Sequence, residues 1–389
     1  MWLAGTGLFE CEQVERARRY HRPLYLAAAG AIALNLGVLA LLTFSVLGDH
    51  VYAATSGWAW WARVLAFTLL VLTLTALVGS PIAFWAGYVH EHAWSLSTQS
   101  AGGWFLDRMK GLAVNLVLGA GALLGIAAAA RAWPALWPAI VAAAAAAFVL
   151  ILSFVAPVIL EPLFSRFTSL TDLELAGSLR SLADRAGLPV QRILVADASR
   201  RTRKLNAYVS GLGRTRRIVL FDTLLADASG HEAELVVAHE LGHRRAHHLA
   251  KSTLLGMLGA SAFVIVAWGL LRWPARRQSI GAASPADPRM VPFLLLLASV
   301  LGLLASPLGA ALSRRWERQA DVFSLELTRD LETFESTHRR LALSNLADLD
   351  PPQIVYLAWF SHPTSTERIT AARTAVHRPR PPGSSAADV

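Results

Sequence analysis

Apolar and polar positions along this 389-residue chain fall into long blocks. Six apolar stretches run near 24–47, 62–88, 112–130, 137–160, 252–271 and 291–312. About 20 helical residues cross a bilayer, so each stretch predicts a transmembrane helix. The first follows Arg16, Arg18, Arg19 and Arg22 and is too long for a signal-peptide core, so it reads as a retained anchor. The fourth contains an alanine run, Ala142 to Ala147, which favours helix and lets neighbouring helices approach closely.

Between the fourth and fifth stretches the pattern changes to a small α+β insertion. Thr171-Asp172-Leu173-Glu174 has capping-box spacing and predicts a helix to Ala186, which Gly187 and Pro189 then stop. Gln191 to Ala196 reads as a strand. Asn206 to Ser210 and Arg217 to Phe221 read as a hairpin around Gly211-Leu212-Gly213. A further helix starts near Ser229. The fold class is therefore an all-α multi-span membrane protein with a small α+β insertion. Five regions follow: four spans in 1–160, the insertion in 161–250, two spans in 251–313, a helical region in 314–378, and a disordered tail in 379–389.

Charge gives this architecture an orientation. Only 16% of residues are charged, against about a quarter in soluble domains, while 54% are hydrophobic. Six spans put the N-terminus, the 89–111 loop, the 161–251 segment and the C-terminus on one side, with 30 of the 36 Lys and Arg. The positive-inside rule makes that side cytoplasmic, although Arg272, Arg276, Arg277 and Arg289 form a local exception. The net charge of +9 is thus assigned to orientation in a lipid bilayer, and no nucleic-acid partner is expected. The single cysteine, Cys11, excludes an internal disulfide and a cysteine zinc site, so any metal must use His, Asp or Glu.

The candidate chemistry lies in His239-Glu240-Leu241-Gly242-His243. Histidines at i and i+4 share a helical face, so both imidazoles can reach one ion, and Glu240 can serve as the base. The helix from Ala233 is expected to run without a break through both histidines into the fifth span. Glu317 stands five residues beyond Leu312, roughly 7 Å along a continuing sixth helix. A short loop makes the fifth and sixth spans antiparallel neighbours, so their ends should meet and bring Glu317 in as third ligand. Asp321, at i+4 from Glu317, can accept a proton from a ligand histidine and fix its tautomer. His362 or Arg368 can stabilise a developing oxyanion. His247 and His248 are read as interfacial residues near the headgroups.

These blocks resemble the type I CAAX prenyl proteases, integral-membrane zinc metallopeptidases. The likeness includes Asn206-Ala207-Tyr208, Arg217 through Leu225, the block Glu317 through Asp321, and Ser361-His362-Pro363 with Glu367-Arg368. The resemblance implies one Zn²⁺ held by His239, His243 and Glu317, with Glu240 as base and Asp321 as proton donor or partner of a ligand. It also implies an extended substrate beside Asn206-Ala207-Tyr208, in a barrel of seven helices around a chamber. Here six spans are counted, lacking the family's first. The C-terminal block is more polar than usual, and Arg200 to Leu205 is rich in Arg and Lys instead of Ser and His. The short loops and the Ala and Arg content point to a bacterial source.

The expected function is a membrane-embedded zinc metalloendopeptidase acting on peptides or membrane proteins at the cytoplasmic face. A transporter would place ionisable groups deep in the spans, and none is found there. A non-catalytic scaffold would not need Glu240.

Overall fold

The structure is a computed structural model, and it describes residues 7–211, 216–273 and 278–377. The tail 379–389, Leu212-Gly213 of the hairpin turn, and Arg276 and Arg277 lie outside the described residues. Among the described residues, six helices are long and apolar enough to cross a membrane. They are α1 (Cys11–Phe44), α3 (Trp60–Ala93), α4 (Ala101–Ala132), α5 (Trp137–Phe164), α9 (His248–Leu271) and α10 (Met290–Thr328). A short α2 (Val46–Ala54) follows α1. At 1.5 Å per residue, the 34 residues of α1 span about 51 Å, well beyond a hydrocarbon core of about 30 Å. Its first turns, with Arg16, Arg18, Arg19 and Arg22, therefore project from the bundle. Glu10 and Gln13 close a reciprocal cap at its start.

The insertion begins with β1 (Phe167–Ser169) and α6 (Leu173–Arg185), then β2 (Arg192–Ala196), β3 (Ala207–Ser210) and β4 (Arg217–Phe221). The cap of α6 is Asp172, whose carboxylate accepts from Leu175 N–H, and not the Thr171 that the capping-box spacing predicts. The sheet order is β1-β2-β4-β3, which leaves β3 on an edge. β3 and β4 form the antiparallel pair expected of the hairpin, with Ala207 opposite Leu220. Helices α7 (Asp222–Asp227) and α8 (Gly230–Arg245) follow. Leu179, Leu182, Ile218, Leu220, Val237 and Leu241 from α6, the sheet and α8 form one core beneath the sheet. The chain ends in α11 (Leu331–Ser344), α12 (Gln353–Trp359) and α13 (Ser365–His377).

The basic stretch Arg200 to Leu205 ties the insertion to the bundle. Lys204 Nζ lies 2.9 Å from Glu91, at the end of α3. Ser97 and Thr202 form an isolated antiparallel bridge. Asn345 both donates to and accepts from the backbone of Leu205.

Two sequence expectations about the helices need correction. The helix bearing the histidines is not continuous with the fifth span: α8 ends at Arg245, and His247 adopts a left-handed φ of 57° before α9 begins. The fifth and sixth spans also touch only sparsely. α9 packs chiefly on α5, whereas α10 packs on α8 and α1. The approach of Glu317 to the histidines therefore comes from the α8–α10 crossing.

Candidate metal centre

The local sequence fixes α8 at both ends. Ser229 Oγ accepts from Glu232 N–H, and the Glu232 carboxylate accepts from Ser229 N–H. Arg340 Nε then donates to both oxygens of buried Glu232, at 2.9 and 3.0 Å, which pins the start of α8 to α11. Further along, Gly242 lies against α10. A Cβ at this position would meet Ala320 Cα at 3.0 Å and Ala320 O at 3.1 Å. The missing side chain is what lets the two backbones approach closely.

That crossing brings three side chains together. His239 Nε2 and His243 Nε2 stand 3.1 Å apart. Glu317 Oε2 is 3.3 Å from His239 Nε2, and Oε1 is 3.2 Å from His243 Nε2. Glu317 continues α10 beyond the apolar run, as its spacing from Leu312 predicts.

The other ring nitrogens have partners of their own. His239 Nδ1 faces Asp321 Oδ1 at 3.0 Å. His243 Nδ1 faces His248 Nδ1 at 2.9 Å, and His248 Nε2 faces Gln319 Oε1 at 2.9 Å. His248 is buried and stacks on Trp316 with ring centroids 5.0 Å apart. It therefore backs the site and is not the interfacial residue expected from sequence. His247 is exposed.

Asp321 is buried and held by Arg368, whose Nε donates at 2.8 Å and whose Nη2 also bonds the carboxylate. Arg368 Nη2 further approaches His239 Nδ1, at 3.2 Å. Buried His338 stands 3.9 Å from Asp321, and burial drives its pKa well below the usual imidazole value, leaving it neutral. His362 is more exposed, with Nε2 3.3 Å from Glu317 Oε1. The loop that carries it is anchored by buried Arg314, which donates to the carbonyls of Tyr356 and Phe360.

Glu240 has no hydrogen-bonding or ionic partner among the described residues, and burial pushes its carboxyl pKa up. Asn206 and Ala207 lie close by on the sheet edge. Asn206 Oδ1 accepts from Ala207 N–H at 2.9 Å, the local bond of a strand-starting residue. The Tyr208 hydroxyl donates to Glu161 at 3.1 Å. A cavity of about 480 Å³ opens beside this edge, lined by Asn206, His338, Asn345, Trp359, His362 and Arg368.

The donor set fits a tetrahedral metal ion. With bonds of about 2.0–2.1 Å, tetrahedral ligand atoms stand about 3.3 Å apart. The three separations here, 3.1 to 3.3 Å, fall close to that value. If Nδ1 of each histidine donates to its partner, both Nε2 atoms present lone pairs towards the carboxylate. Lone pairs and an anion packed this closely repel one another unless a cation lies between them. Glu317 Oε2 is also buried without a hydrogen-bond donor among the described residues.

With this geometry in hand, the chain can be compared with known proteins. Residues 169–376 match peptidase family M48. The chain belongs to peptidase family M48. Residues 6–166 match the N-terminal region of CAAX prenyl proteases, described as five membrane helices. The described residues supply four helices of spanning length there. The chain is 30% identical over 323 residues to YhfN, an uncharacterized metalloprotease of Bacillus subtilis, covering 82% of this chain and 75% of that one. It is also 30% identical over 332 residues to CAAX prenyl protease 1 of Saccharomyces cerevisiae, covering 80% and 72%. The fold matches the crystal structure of S. mikatae Ste24p with a TM-score of 0.80 at 25% identity, over 94% of this chain and 90% of that one. This M48 protein is thus a multi-span membrane metallopeptidase that acts on peptide or protein substrates.

Within the M48 chain, two features of the site escape the motif search. Gly242 occupies a variable position of the His-Glu-x-x-His pattern, so only the helix crossing reveals its part. The run His239, His243 and His248 was visible, but its significance depends on the left-handed turn at His247.

Proposed function

We propose that this chain is a zinc endopeptidase that cleaves peptides or membrane proteins at the cytoplasmic membrane surface, with one Zn²⁺ held by His239, His243 and Glu317. The reading rests on one observation, the three ligand atoms 3.1–3.3 Å apart on α8 and α10. Bound there, zinc would supply Lewis acidity to the scissile carbonyl and to water.

The chain's own residues do the rest. Glu240 takes one proton from the attacking water and gives it to the leaving nitrogen. Its lack of a competing ionic partner suits that role. Asp321 accepts from His239 Nδ1–H and keeps Nε2 free as a ligand. Arg368, spent on Asp321, is a positioning residue, which leaves His362 as the donor for the developing oxyanion. An extended substrate adds to the edge at Asn206, Ala207 and Tyr208, with backbone bonds that do not depend on its side chains. The cytoplasmic orientation rests on the excess of Lys and Arg on the insertion side. The relatives named as CAAX prenyl proteases make peptides presented at the membrane the substrate class to try first.

Two experiments test the reading. Glu240→Gln should keep the metal and the fold but lose nearly all peptide hydrolysis, because an amide cannot take up the proton. Near-wild-type cleavage by that variant would remove Glu240 as base. A reporter after Val389 should be cytoplasmic and a tag at Ser284 on the far side. Finding both on one side would contradict the six-span arrangement.

A further inference from the structure

Arg244 follows the second histidine and lies one helical turn beyond Glu240. Its guanidinium turns onto the edge strand. Nε donates to the Val209 carbonyl at 3.1 Å, and Nη2 donates to the same oxygen. Nη1 is buried and has no acceptor among the described residues. The nearby carboxylate of Glu161 is occupied by Tyr208, Ser210 and Arg217. The guanidinium charge therefore sits against a single carbonyl, unpaired, beside a cavity of about 270 Å³. Phe154, Pro157, Val158, Tyr208, Ser210 and Leu249 line that cavity.

The strand ladder shows what this does to an incoming peptide. Phe221 N–H bonds to Asn206 O, so Asn206, Tyr208 and Ser210 direct their backbone groups at β4. Ala207 and Val209 direct theirs at the free edge. The N–H of Ala207 is taken by Asn206 Oδ1, and the C=O of Val209 by Arg244. An added strand meets only the Ala207 C=O and the Val209 N–H as open backbone groups. Next to Val209, where a bare edge would offer an acceptor, this edge offers the unpaired Nη1 donor and a positive charge. A peptide N–H has no partner there, whereas a carboxylate would satisfy both the donor and the charge.

We propose that Arg244 makes the Val209 end of the edge strand a carboxylate-binding subsite, so that preferred substrates place there an acidic side chain or a free chain end. The inference rests on the peptidase reading of the same site and adds its substrate class.

The test measures binding apart from turnover. Full-length protein carrying Glu240→Gln is titrated with fluorescent peptides in which Asp or Asn is moved along the sequence. Each peptide is made with a free C-terminal carboxylate and again as the C-terminal amide. One position, or the free end, should bind about tenfold more tightly as the acid, the effect expected of one charge-assisted hydrogen bond. Arg244→Gln should bring the acid-to-amide ratio to about one, and Arg244→Lys should keep part of it. The swept side chain and the blocked end tell the two carboxylate sources apart. A ratio that survives Arg244→Gln overturns the proposal, as does the absence of discrimination or of binding at every position. Should discrimination appear while wild-type enzyme cleaves none of the bound peptides, the hydrolase reading fails and the subsite stands.

Discussion

Replacing Gly242 with alanine tests the link between helix packing and the metal centre. The added Cβ would lie 3.0 Å from Ala320 Cα, 3.1 Å from Ala320 O and 3.2 Å from Phe323 Cδ1. Ordinary carbon contacts begin near 3.5 Å, so α8 and α10 must separate by about 0.3–0.5 Å. The first two atoms are backbone, and no rotamer change can relieve them. Overpacking of this kind costs about 1–3 kcal/mol, offset by about 1 kcal/mol of helix propensity gained from Gly to Ala. The expected net loss of stability is therefore small, about 0–2 kcal/mol. Metal binding should suffer more, because ligand distances tolerate only about 0.2 Å and Glu317 moves with α10. We expect zinc affinity to fall about tenfold or more, measured by chelator competition, with a melting transition near that of the wild type. Wild-type zinc affinity in Gly242→Ala would refute the idea that this close approach sets the ligand geometry.

Three further outcomes are expected. His248→Ala removes the partner of His243 Nδ1 and should weaken zinc binding about 10–100-fold, measured by the same competition, as loss of a ligand's orienting group does. Asn206→Ala should lower turnover with little change in zinc content or melting temperature; a variant that melts markedly earlier but cleaves normally at low temperature would make Asn206 purely structural. Glu232 is held below the usual carboxylate pKa, since bonds from Ser229 N–H and Arg340 outweigh the opposing effect of burial. Its stabilising contribution should thus be full above the ordinary glutamate pKa and fade as pH falls through the depressed one, and acid unfolding curves of wild type and Glu232→Gln should converge there.

The sequence made some parts of this molecule legible and others not, for physical reasons. Spans are readable because lipid demands long apolar runs, and the six anticipated stretches each fall largely within one of the six long helices. Ser229 as the start of α8 is a local signal, carried by its own side chain and that of Glu232. β3 proved to be an edge because apolar Arg217–Phe221 is flanked by strands on both sides, whereas Ala207–Ser210 has one neighbour. The break at His247 left no such mark, since neither Gly nor Pro stands there, and the left-handed residue is set by how α8 and α9 pack. The Arg368–Asp321 pair joins residues 47 apart, so no spacing rule reaches it. The expected pairing of the fifth and sixth spans assumed that a short connection means close packing. In this fold α5 covers α9, and α8 takes that place beside α10.

The central claim is that His239, His243 and Glu317 form one zinc site. Its most direct test is the metal content of purified full-length protein, measured by inductively coupled plasma mass spectrometry beside His239→Ala. The account predicts about one zinc per wild-type chain and near-complete loss in the variant, with the helical content of the two alike. Full zinc occupancy in His239→Ala would place the metal elsewhere and contradict the account.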